Sequence, residues 1–140
     1  KFNLKNDLVL KFQLLVVTKE YDAALEVSEQ LTSQFPDYIE MIMLHCVLSK
    51  YILSSDEASI IYQKAVEKIQ INAERLTDLQ QQYNALGSLL LLHCLFNDIS
   101  NKQLCLAKIN ALQISQEEKE IIEHISKSTE SELFEICNIY

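Results

Sequence analysis

With 140 residues the chain has the length of one domain, and its single Gly (Gly87) and single Pro (Pro36) are too few turn formers for a β-rich fold. Its 20 acidic against 12 basic residues leave a formal net charge of -8, so phosphate backbones and anionic lipid would repel it, which excludes nucleic acid and membrane surfaces as expected partners. Cys46, Cys94, Cys105 and Cys137 lie in apolar helical stretches without CxxC spacing, the pattern of reduced thiols in the cytoplasm or nucleus.

Residues Leu4 to Thr18 carry apolar side chains on most turns, which predicts a first helix buried on several sides. The helical period continues through Ala24, Leu25, Leu31 and Phe35, and Pro36 ends this second helix because it cannot extend the hydrogen-bond ladder. A third helix is predicted from about Tyr38 to Leu53. Ser54, Ser55, Asp56 and Glu57 suit the start of a fourth, which persists to about Arg75. Thr77 with Gln80 forms a capping-box candidate for a fifth helix to Phe96, and the Asn97 to Asn101 stretch breaks it. Its longest apolar run, Leu89 to Leu92, stops at His93, far short of the ~20 residues of a bilayer span, so no membrane insertion is expected. A sixth helix is predicted over Lys102 to Leu112, a seventh behind Ser115 and Glu118, and a short eighth behind Thr129 and Glu132. About eight helices joined by short loops predict an all-α fold of antiparallel neighbours. The chain opens on Lys1 rather than Met and is amphipathic at once, so residues 1–140 are expected to be one domain cut from a longer protein.

Two internal echoes stand out. Tyr21, Ala24, Leu25, Leu31 and Pro36 are followed, 34 residues after Ala24, by Ala58, with Tyr62 and Ala65 beyond it. Leu44-His45-Cys46-Val47-Leu48 is echoed 48 residues on by Leu92-His93-Cys94-Leu95-Phe96. The first set resembles the second helix and closing turn of a tetratricopeptide repeat, whose length is the interval from Ala24 to Ala58. The resemblance covers about Leu8 to Val66, and weakly Gly87 to Leu112. It implies a right-handed superhelical stack of helix pairs, in which small residues let neighbouring helices approach. The chain departs from the family pattern in having no tryptophan, no glycine at the small positions of the first helices, and no proline closing the second repeat. The extra residues between Val66 and Leu86 predict a lengthened hairpin with an apolar stripe of Ile69, Leu76, Leu79, Tyr83 and Leu86.

The same resemblance implies an apolar concave groove. Its register aims Val9, Val16, Met43 and Val47 into the groove and puts Gln13, Glu40 and Lys50 at the margins, a surface suited to a peptide or amphipathic helix of a partner protein. The other reading of these residues is packing against the fifth helix or a neighbouring repeat. Some family members bind chaperone C-termini through a clamp of Lys, Asn and Arg; Val9, Gln13 and Leu44 stand at the matching positions, so that activity is not expected. His45-Cys46 and His93-Cys94 are adjacent on their helices, about 100° apart, so each pair offers at most one ligand to a metal, and core packing is the expected role. The acidic run Glu117, Glu118, Glu120, Glu123 reads as a solvated face, and no phosphate loop, nucleophile elbow or HExxH helix is present. The expected function is that of an adaptor or scaffold segment of a multiprotein assembly, without catalytic residues, cofactor or metal. The alternative is a helical oligomerisation domain that uses the hairpin or the terminal helices.

Overall fold

The computed structural model describes residues 3–140, and these form eight helices: α1 (Leu4–Val17), α2 (Tyr21–Gln34), α3 (Ile39–Ile52), α4 (Ser55–Ala73), α5 (Leu79–Leu95), α6 (Ile99–Asn110), α7 (Gln116–Lys127) and α8 (Glu130–Ile136). The described residues contain no strand, so the fold is all-α. From α1 to α6 each helix packs on the next, and α3 also packs on α5. The chain then returns, placing α7 and α8 against α5.

Local chemistry sets most of the boundaries. The hydroxyls of Ser115 and Thr129 accept the backbone N–H of Glu118 and Glu132 at 3.2 Å, and each glutamate accepts the N–H of its cap in return, completing two capping boxes. α5 begins one residue later than predicted, because the Asp78 carboxylate, not Thr77, accepts the N–H of Gln81. α6 begins three residues earlier, at Ile99: the Asp98 carboxylate caps Asn101, so the polar stretch expected to be a break is half helix start. Lys19, Asn97 and Asn138 have positive φ angles (61°, 55° and 63°) just past helix ends. After each, the next N–H reaches back five residues in the chain, Glu20 to Leu15, Asp98 to His93 and Ile139 to Phe134, which satisfies otherwise orphaned carbonyls and reverses the chain.

One core runs through the molecule, from Phe12 and Leu31 through Met41 and Leu48 to Leu90 and Ile109. One expectation is corrected here. α1 is buried on a single face, that of Leu8, Phe12 and Val16, and leaves Leu10, Leu14 and Val17 between 56% and 75% exposed, because only α2 packs closely along it. In the apolar stripe of the α4–α5 hairpin Ile69 is fully buried, Tyr83 donates its hydroxyl to the Glu118 carbonyl of α7 at 3.2 Å, and Leu79 is the exposed member.

Candidate functional site

A trough runs across α1, α3 and α5, and the chain's own C-terminal helices occupy much of it. Towards α1, a cleft of about 500 Å³ has Phe12, Gln13 and Val16 on one wall, Glu40 and Met43 on the other, and Cys137 with Asn138 as its roof. α8 is held there by several contacts. The Phe134 ring meets Tyr51 edge-on at 5.0 Å, Lys50 lies 4.0 Å from Glu130, and the Tyr21 hydroxyl donates to the Tyr140 carbonyl at 2.9 Å. Leu133 and Ile139 are sealed beneath the segment.

On the other side of Met43 the trough stays open. Here a cleft of about 600 Å³ lies between α3, α5 and α7. Ile39, Met43 and Leu91 with Ile122 and Ile125 of α7 make its apolar surface, while Asn84, Gly87 and Ser88 line the α5 side. These last three share a face with Leu91, since positions i, i+3, i+4 and i+7 lie along one stripe of a helix. Among the described residues, Asp37 and Glu40, both exposed, are the carboxylates on the lining, and no Lys or Arg joins them.

The sequence-derived groove residues divide accordingly. Glu40 and Met43 line both clefts, and Gln13 and Val16 line the roofed one. Val16 and Val47 are buried, at 5% and 0% exposure, so neither offers surface to a partner in this conformation. Val9 is half-buried, and Lys50 is engaged by Glu130 and by the Phe96 ring. Sequence reasoning missed Asn84, Gly87, Ser88 and Leu91. The signal available was the chain's one glycine, placed in mid-helix.

The repeated Leu-His-Cys has a shared structural use. Ser28 of α2 donates its hydroxyl to the Leu25 carbonyl at 2.8 Å, so at 2.7 Å from His45 Nδ1 its oxygen accepts the imidazole N–H. Tyr62 of α4 donates to Asp98 at 2.8 Å, so at 2.7 Å from His93 Nδ1 it likewise accepts. Ser28 and Tyr62 are 34 residues apart, the interval that separates Ala24 from Ala58, and both alanines are buried. Each histidine thus ties its helix to the hydroxyl of the preceding one. Burial lowers both histidine pKa values, against the raising influence of Glu29 and Asp98 respectively. Burial also pushes the Asp98 carboxyl up, but the bonds from Asn101 and Tyr62 outweigh it and hold the group below its usual range.

All four cysteines are free, and burial pushes the Cys46, Cys105 and Cys137 thiols up to about 12, which leaves them protonated and poorly nucleophilic near neutral pH. Among the described residues no group of three or more His, Cys, Asp or Glu is placed to hold a metal, and no helix is long and apolar enough to cross a membrane. Compared with known proteins, the chain matches no family, no curated sequence and no solved structure.

Proposed function

We propose that the chain is a protein-interaction domain, an adaptor or scaffold segment that receives a helix or peptide of a partner protein in the open cleft between α3, α5 and α7. The observation that carries this reading is the cleft itself: an apolar trough of about 600 Å³ with polar edges, formed where the helix stack leaves a face the chain's own C-terminal helices do not cover. Its shape is that of a recognition groove, and it gathers no convergent set of nucleophile, base and acid such as acyl transfer or hydrolysis would need. A tetratricopeptide-like organisation is part of the proposal. It is supported by the 34-residue interval shared by the buried pair Ala24 and Ala58 and by the hydroxyl pair Ser28 and Tyr62. Free thiols held protonated in the core or at its edge, Cys46, Cys105 and Cys137, suit a reducing compartment, cytoplasm or nucleus.

Substituting Ser88→Trp fills the cleft from a half-buried position. Affinity capture from the source cell is expected to lose partners with this variant while circular dichroism keeps the same helical signal. An unchanged set of partners would remove the cleft from consideration.

A second reading, oligomerisation through a terminal helix, is favoured by the exposed stripe of Leu10, Leu14 and Val17 on α1. Light scattering separates it. A dimer that Leu14→Glu converts to monomer supports it, and a monomeric parent chain at micromolar concentration rules it out.

A further inference from the structure

The chain's one glycine stands in the interior of α5, where a glycine destabilises a helix relative to alanine because it loses more backbone freedom on folding. Nothing inside the fold asks for it. Its φ is not positive, so no turn or left-handed cap is involved, and a Cβ built on Gly87 would meet no atom within 4 Å. The missing side chain therefore leaves space on the cleft wall, flanked on the same helical stripe by Asn84, Ser88 and Leu91. Small residues on such a stripe let a second helix approach with its backbone close.

The charge around that space is one-sided. Asp37 and Glu40 stand on the α3 side of the cleft, both exposed, and among the described residues neither belongs to an ion pair. Ile121 of α7, 54% exposed, and the half-buried Met43 and Ile125 give the apolar counterpart. We infer that the occupant of the cleft is a cationic amphipathic helix of a partner protein, which crosses α5 in close contact at Gly87, turns its apolar stripe to Met43 and Ile125, and sets Lys or Arg against Asp37 and Glu40. This inference rests on the reading of the cleft as a docking groove and adds the chemistry of the partner. A small apolar ligand would use the same cavity but gain nothing from the two carboxylates.

Gly87→Ala and Gly87→Leu separate a binding role from a purely structural one. Both are expected to raise the thermal midpoint of the chain alone, because Gly87 is an entropic cost with room around it. Both are expected to weaken binding, the leucine more than the alanine. The probe is a pair of synthetic helical peptides of about 14 residues, identical in their leucine stripe and carrying either lysines or glutamates along the flanks. Amide chemical shifts of the isotope-labelled full chain locate the binding.

The lysine peptide is expected to move the amides of Glu40, Gly87 and Ser88, and to lose at least tenfold in affinity with Gly87→Leu and with Asp37→Lys, Glu40→Lys. The glutamate peptide should bind the charge-reversed chain better than the parent. Reversing Glu26 and Glu67, exposed acids outside the cleft, should leave the lysine peptide's shifts at the cleft intact. Equal loss on that control reversal, shifts spread away from α5, or unchanged binding to Gly87→Leu each overturns the inference. Should neither peptide bind while Ser88→Trp still strips partners in the capture experiment, the groove stands and its proposed helical, cationic occupant falls.

Discussion

The Tyr62 hydroxyl has one proton to give and two partners to satisfy. Asp98 takes the proton, and His93 fills the remaining lone pair through Nδ1–H, so three helices meet at one oxygen. Replacing Tyr62 with Phe keeps the stack on the Phe96 ring, 4.4 Å between centroids, but leaves a buried imidazole N–H without its acceptor. The expected loss is about 1–3 kcal/mol of unfolding free energy by urea titration. A much smaller loss would mean that water replaces the phenol. The buried His93 and the half-buried His45 also impose a pH dependence. Above about pH 6.5 the imidazoles are neutral in folded and unfolded chains alike; below it the unfolded chain takes up protons that burial makes the folded chain refuse, so stability falls with acid. The melting temperature is expected to drop between about pH 7 and about pH 5.5, and His45→Asn with His93→Asn should flatten that slope. The twin Leu-His-Cys segments were legible in the sequence as an echo. Their use was not, because the partner hydroxyls belong to other helices and repeat at a different interval, 34 residues against 48.

Helix starts were legible where a hydroxyl cap is followed three residues on by glutamate. Ser115 with Glu118 and Thr129 with Glu132 announce their helices because acceptor and donor lie within one turn. Asp98 hid the start of α6, since the Ile99-Ser100-Asn101 run behind it has the composition of a loop. α1 misled in another way. Its density of apolar residues reads as a helix buried all round, yet it lies at the end of the stack with α2 along one side, and Leu10, Leu14 and Val17 reach solvent. Where helices pack tightly, small side chains set the spacing. Ala58 is 1% exposed, so Ala58→Leu has no void to enter and is expected to cost about 1–3 kcal/mol by thermal or urea unfolding, with helical content otherwise retained. A neutral result would show that α4 can shift outward at little cost.

Across the whole molecule the decisive event is the return of the chain after α6. Patterning along a single helix cannot show that α8 will lie in a trough built by residues of α1 and α3, far earlier in the chain, because that contact depends on the Asn138 turn, the Phe134 and Ile139 anchors and the Tyr21–Tyr140 bond acting together. Part of the groove expected from sequence is thereby filled from within, and the rest remains as the cleft between α3, α5 and α7. Glu40 and Met43 are the expected residues that border the open part, and Gly87 and Ser88 face it from α5. Site-specific photocrosslinking in the source cell tests this division directly, with the crosslinker placed either at Ser88 or at the exposed Ile60 on α4, which lines neither cleft. A discrete protein adduct from Ser88 that is absent from Ile60 is the predicted result; the same adducts from both positions, or none from Ser88 while Ile60 gives one, would contradict the cleft as the binding surface.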